Sequence, residues 1–217
     1  QVIETGRAFE FEHSMILNEY NQVQVDDLVR NWMRGGFLKP GDMARSSKIL
    51  EKNLAYLPLW IVPVAATSEY KGIFERLVPA VVKEGKIEKK YDWLVLARKA
   101  AEFPTREYEV PLEGKIPYDF RRVEGFAKVL NSEIDEMEAI ELAKQQIESL
   151  HQFLAKQDVD KIIEMKNVFC VGDSVDLHAP IWFIVYEYKK GRYNIILDGA
   201  TGAVIKGDIP ETKFGLL

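Results

Sequence analysis

Hydrophobic and polar positions alternate along this chain in two rhythms, and the change of rhythm marks its elements. Ala8, Phe9, Glu10, Phe11 and Glu12 open with an apolar/acidic alternation, which predicts a short strand or extended arm within residues 7–20. Over residues 23–33 the period lengthens. Val25, Leu28, Val29 and Trp32 fall on one stripe of a helix. Asp26 and Asp27 favour the positive end of its dipole, and Gly35-Gly36 stops it. Phe37-Leu-Lys-Pro-Gly-Asp42 carries turn chemistry, and a second short helix is expected over residues 43–53.

A period of two then returns. Residues 57–66 are apolar and hold two prolines, which lack a ladder donor; Pro58 predicts a strand start and Pro63 an edge or bulge. Residues 70–82, interrupted at Pro79, read as the partner strand, and Gly85 as the following turn. Residues 91–101 read as a strand with Trp93, Val95 and Ala97 on one face and Leu94, Leu96 and Arg98 on the other. Residues 106–112 read as one more, with Tyr108 and Val110 opposite Glu107 and Glu109. Residues 115–126, beside Gly114 and containing Pro117, read as a boundary.

The strongest helix is predicted over residues 132–157, rich in Glu, Ala, Leu, Lys and Gln. Ser132-Glu-Ile-Asp135 resembles a capping box with Asp in place of Glu. Met137, Ile140, Ala143 or Lys144, Ile147, and Leu150 or His151 trace its apolar face, with Glu141 and Gln145 opposite. A strand follows at Val168-Phe-Cys-Val171, ended by Gly172-Asp173. Residues 182–188 and 192–197 form a hairpin around Lys189-Lys190-Gly191. Asp198-Gly-Ala-Thr-Gly202 turns the chain again, and residues 203–205 lead out.

Ala179-Pro180-Ile181-Trp182-Phe183-Ile184 echoes Leu57-Pro58-Leu59-Trp60-Ile61-Val62 at an offset of 122 residues, each with an amphipathic helix upstream. The expectation is an α+β protein of two similar helix-plus-antiparallel-meander units in tandem, over residues 1–114 and 115–217. Two copies are too few for a solenoid array.

Composition narrows the classes. With 47% hydrophobic and 29% charged residues, wholesale disorder is excluded. A net charge of −5 argues against a duplex-binding surface. The one basic cluster, Lys83 to Lys90, is broken by Glu84, Gly85 and Glu88 and reads as a solvated hairpin loop. The single cysteine, Cys170, allows no internal disulfide and no Cys-based zinc site. No apolar run reaches the roughly 20 residues of a membrane span, and no signal peptide opens the chain. A cytoplasmic location is expected, or the soluble part of a membrane-anchored protein. Gln1 in place of Met is the pattern of a processed chain, and Lys213-Phe-Gly-Leu-Leu217 would serve as the lead-in to a membrane segment beyond it.

Candidate chemistry is sparse. Asp198-Gly-Ala-Thr-Gly202 offers one carboxylate, with Asp208 further on, where a calcium loop needs six or more oxygens, so it reads as a turn. Cys170, Asp173 and His178 would suggest a nucleophile and its base, but Cys170 sits between Phe169 and Val171 and reads as a buried thiol. His13, His151 and His178 show no metal-ligand spacing. Glu133, Asp135, Glu136, Glu138 and Glu141 favour a helix start. Trp60 and Trp182 read as core. No nucleotide-binding glycine motif and no Gly-x-Ser-x-Gly occurs. No catalytic residue, metal or cofactor is therefore expected.

Met137-Glu-Ala-Ile-Glu-Leu-Ala-Lys144, Trp182 to Tyr188, Gly191-Arg-Tyr-Asn-Ile-Ile-Leu-Asp198 and Thr201-Gly-Ala-Val-Ile205 together resemble the helix start and closing hairpin of the PepSY family. The stretch around Leu57-Pro-Leu-Trp60 is similar to regions of archaeal proteins that pair such domains with a zinc ribbon or a membrane helix. The resemblance implies a PepSY/cystatin-like fold and a regulatory or protein-interaction role with no catalytic residues. The expected function is a non-enzymatic module that engages a protein partner through a sheet edge or face. The alternative is a small-molecule or lipid binder with a pocket lined by Trp182, Phe183 and Tyr186. Nucleic acid is not an expected partner, and membrane association would need segments outside this chain.

Overall fold

A computed structural model describes residues 12–211; the predicted arm at Ala8–Phe11 and the lead-in from Lys213 lie outside them. The described residues form a mixed α+β protein dominated by strands. In chain order these are β1 (Glu12–Met15), α1 (Gln22–Arg34), α2 (Met43–Ser46), β2 (Lys48–Phe74), β3 (Val81–Leu96), β4 (Ile116–Pro117) and β5 (Lys128–Val129). Then come α3 (Glu136–Asp158), β6 (Lys161–Val171), β7 (Val175–Tyr188), β8 (Gly191–Asp198) and β9 (Val204–Gly207). No helix among the described residues is long and apolar enough to cross a membrane.

The chain folds into two compact units that are interleaved in sequence, not divided at residue 114. Among the described residues, the α3 unit takes 59–99 and 132–176, and the α1 unit takes 13–58, 100–131 and 177–211. The 27-residue strand β2 explains the interleaving, because its first part belongs to the α1 unit and its second to the α3 unit. The stretch 137–144 accordingly lies in one unit and the stretch 182–205 in the other.

In the α3 unit, β2 is the centre of an antiparallel trio, with β3 on one side and β6 on the other. Trp60, Val62, Val64 and Ala66 alternate onto one face and meet Trp93 and Val95 from β3. The helix α3 covers that face with Ala139, Ala143 and Ile147, and its Ala155 is buried too. These recur every fourth residue, and the alanines let the helix lie close to the sheet. The predicted stripe is correct at Ala143, Ile147 and His151, but Met137 is 72% exposed. The helix starts later than its composition suggests. Asp135, not Ser132, is the N-cap, and its carboxylate accepts from Glu138 N at 2.8 Å.

Several expected boundaries are overturned by sheet pairing. The helix expected over residues 43–53 stops at Ser46, because Leu54 and Tyr56 are drawn into a β core. Residues 70–74 continue β2, and β3 begins only at Val81. Gly85 is no turn. It pairs with Tyr70 in mid-strand, and a Cβ there would stand 2.3 Å from the Tyr70 ring. The glycine is the gap that lets the aromatic ring cross β3. Lys83 to Lys90 is likewise strand, not loop. Residues 106–112 form no strand, since Tyr108 N bonds back to Pro104 O in a local turn. Both prolines sit inside β2. Pro63 O accepts from Gly172 N at 2.9 Å, so its missing donor faces the side where β6 has just ended at Val171.

In the α1 unit, Asn21 caps α1 by a reciprocal box with Gln24, both bonds at 2.9 Å. Val25, Val29 and Met33 face a core built from Met15, Leu54, Tyr56, Trp182, Ile184, Tyr186, Ile195 and Leu197. β7 and β8 form the expected hairpin. Tyr188 pairs with Gly191 across the two-residue turn Lys189-Lys190, whose φ values of 47° and 68° match a type I′ turn. Gly202, at φ 76°, serves the next turn.

Candidate functional sites

The helix α3 faces the sheet mainly with apolar side chains, but at its fourth buried turn it presents His151, which is 0% exposed. A buried polar group must find partners, and His151 has two. Its Nδ1 lies 2.7 Å from Ser68 Oγ on β2, and its Nε2 lies 2.8 Å from Tyr91 OH on β3. Ser68 donates its own proton to Asn167 Oδ1 on β6 at 2.6 Å. Ser68 must then accept from His151 Nδ1–H, which leaves Nε2 to accept from Tyr91. The imidazole is neutral and fully paired, and it donates to the serine where a catalytic base would have to accept from it. With Ser68 also 0% exposed, the pair is a clasp of helix to sheet rather than a nucleophile.

Burial, with the positive charge of Lys89 second, holds the His151 pKa below its ordinary value. The sign follows from linkage. The folded state favours the neutral ring, so below about pH 6.5 the unfolded chain binds the extra proton. This contribution is full above pH 6.5 and is lost as pH falls towards the folded value. Urea denaturation at pH 7.5 and 5.5 should therefore show a drop in stability that is smaller in His151→Gln.

The opposite face of the same sheet is exposed and charged. Glu69 lies between Lys86 on β3 and Lys166 on β6, and Lys71 lies between Glu84 and Glu164. These residues line an open depression of about 510 Å³. Opposite charges stand directly across from each other, which suits sheet pairing and leaves no net field for a polyanion.

The sheet's two outer strands differ in protection. Among the described residues, β3 and β6 each pair with β2 alone. β3 carries a dense charge run from Lys83 to Lys90, which blunts an edge against further pairing. β6 is charged at Lys161, Glu164 and Lys166, then runs uncharged through Asn167-Val-Phe-Cys-Val171. Gly172 N points to β2, so strand alternation directs the N–H and C=O groups of Val171, Phe169, Asn167 and Met165 to the outer edge.

Other sequence candidates are dispersed. Cys170 is exposed, not buried. It sits on the outer face of β6, while its neighbours Phe169 and Val171 turn inward to the core. Asp198 is 2% exposed, and both its oxygens are used by its own turn, from Ala200 N at 2.9 Å and Thr201 Oγ1 at 2.8 Å. Burial raises its pKa. Asp208 accepts from Asn194 N at 3.1 Å. Of the acidic run, Glu133 pairs with Arg98 at 3.1 Å and Glu141 with Lys144 at 3.1 Å, while Asp135 caps the helix. Trp60 Nε1 donates to Ile134 O at 3.1 Å and Trp182 Nε1 to Asn18 Oδ1 at 2.9 Å, so both indoles are core. Trp182 and Tyr186 are 0% exposed, and the alternation of β7 sends Phe183 to the other face, so these three do not line one pocket.

One pairing escaped the sequence altogether. His13 on β1 and His178 on β7, 165 residues apart, bring Nε2 and Nδ1 to 3.1 Å. Spacing carries no trace of it, because the two strands meet only in the fold. No family model, curated protein or solved structure matches this chain.

Proposed function

We propose that the protein is a non-enzymatic binding module whose working surface is the open edge of β6, where an extended segment of a partner protein adds as a further strand. The observation that carries this reading is the row of outward backbone groups at Met165, Asn167, Phe169 and Val171 on a strand that, among the described residues, pairs with β2 alone. Backbone bonding supplies the affinity. Flanking side chains supply selection, with Val168 56% exposed on the outer face and the Lys166/Glu164 pair beside it. An uncharged five-residue stretch fits an apolar or neutral partner strand. The Ser68–His151 contact in the α3 unit is fully buried, which favours binding over catalysis.

Hydrogen exchange tests the reading at single residues. In the protein alone, the amides of Met165, Asn167, Phe169 and Val171 exchange much faster than those of Lys166, Val168 and Cys170, which bond to β2. In a complex with a partner purified by its affinity for this chain, the first set slows to match the second. A complex that leaves the four amides fast, or a chain that retains no specific partner, rules the reading out.

A further inference from the structure

We infer that His13 and His178 form a cation site for a divalent transition metal of the zinc or copper type, independent of the β6 edge. The argument starts from the tautomers. His178 is 6% exposed, and its Nε2 lies 3.1 Å from the carbonyl oxygen of Leu130. A carbonyl only accepts, so Nε2 carries the proton and Nδ1 presents a lone pair. That lone pair faces His13 Nε2 at 3.1 Å. Without a metal, His13 donates its Nε2 proton across this gap.

The spacing matches a shared ion. With metal–nitrogen bonds of about 2.0–2.1 Å, two nitrogens on one ion stand roughly 2.9 Å apart at a right angle and 3.4 Å apart at the tetrahedral angle. The observed distance lies between. An imidazole that gives its other N–H to a backbone carbonyl is also the usual arrangement behind a metal-binding histidine, because the bond fixes the ring and its tautomer. His178 already has that support. His13 is braced by Tyr118, whose ring stacks on it at 4.3 Å and 8°, and by Tyr118 N donating to His13 O at 3.1 Å. His13 is exposed, so an ion can enter and water can fill its remaining positions.

Binding needs one rearrangement. His13 moves its proton from Nε2 to Nδ1, a neutral tautomer shift exchanged through water, and the ion replaces that proton between the two rings. Two imidazoles favour zinc, copper or nickel over magnesium or calcium, which prefer oxygen donors.

The test titrates the full chain with zinc ion alone, by calorimetry, and with cobalt(II), by its visible absorption. The expected result is one ion per chain, and binding at least ten-fold weaker in His13→Phe. Phenylalanine keeps the stack on Tyr118 and removes the nitrogen, so the variant folds, which circular dichroism verifies. A second variant, His178→Asn, should lose binding in the same way. Magnesium at the same concentration gives no signal. Wild-type affinity in His13→Phe would place the ion elsewhere, and no one-to-one binding in the unmodified chain would remove the site; either result overturns the inference.

Discussion

Replacing Trp182 by alanine lowers stability by about 3–5 kcal/mol, the range for removing a large aromatic side chain from a packed core. Trp182 is 0% exposed and is among the largest fully buried side chains of the described residues. It stands in the cluster that joins Met15, Val25, Tyr56 and Ile184. Its indole also anchors a polar chain. Trp182 Nε1 donates to Asn18 Oδ1, Asn18 Nδ2 donates to Glu124 Oε1 at 2.9 Å, and Tyr56 OH donates to Glu124 Oε2 at 2.9 Å. Burial first, then the bond to Glu124, raises the Tyr56 pKa, so the hydroxyl stays protonated as a donor. Alanine leaves a cavity and takes from Asn18 Oδ1 the shorter of its two hydrogen bonds, leaving the one from Tyr20 N at 3.4 Å. Trp182→Phe keeps most of the packing and should lose only about 1–2 kcal/mol. Urea denaturation followed by far-ultraviolet circular dichroism measures both. A loss below about 1 kcal/mol for alanine would mean that the indole does not pack as described.

Substituting His151 by phenylalanine destabilises the chain by about 2–5 kcal/mol, chiefly through the partners it abandons. Ser68 keeps its bond to Asn167 but its oxygen, sealed between helix and sheet, is left without a donor, and Tyr91 loses its acceptor. A buried polar group left unpaired is worse than an apolar one of the same shape. The effect should therefore be non-additive. Adding Ser68→Ala and Tyr91→Phe to the His151→Phe chain should recover at least half of the loss, although each alone destabilises the unmodified protein. Asn167, which then loses the Ser68 donor, is only half-buried and can turn to water. A triple variant no more stable than the single one would mean that packing, not hydrogen bonding, governs the position.

Local chemistry was legible in the sequence where it acts alone. The apolar stripe of Val25 and Val29 located α1, and Lys189-Lys190-Gly191 located the β7–β8 hairpin. Asp198 was readable as a turn starter for the same reason. Long-range pairing was not legible. Gly85 carries the mark of a turn, yet it is a strand residue because Tyr70 lies across it. Cys170 has apolar neighbours, yet alternation turns it outward while they turn inward. The mixed α+β class was readable, but the division of the chain was not, since nothing local reveals that one strand runs for 27 residues. Each candidate site needs strands distant in sequence. His151 meets Ser68 across 83 residues and His13 meets His178 across 165.

The interleaving of the units has a consequence during synthesis. The α3 unit joins Ala65 to Cys170, so its sheet lacks a strand until β6 has left the ribosome. The α1 unit waits longer, for the β8 and β9 strands near the end of the chain. The α3 unit is complete at Asp176, while the last segment of the α1 unit is still to be made; the α1 unit, begun first, must wait for that segment, in contrast to domains arranged end to end. In the nascent chain the apolar middle of β2 can pair with β3 once residue 96 is made, but its other edge stays open until β6 is made, which makes that edge the natural target for chaperones and the first point of aggregation. A chain cut at residue 114 would contain neither unit.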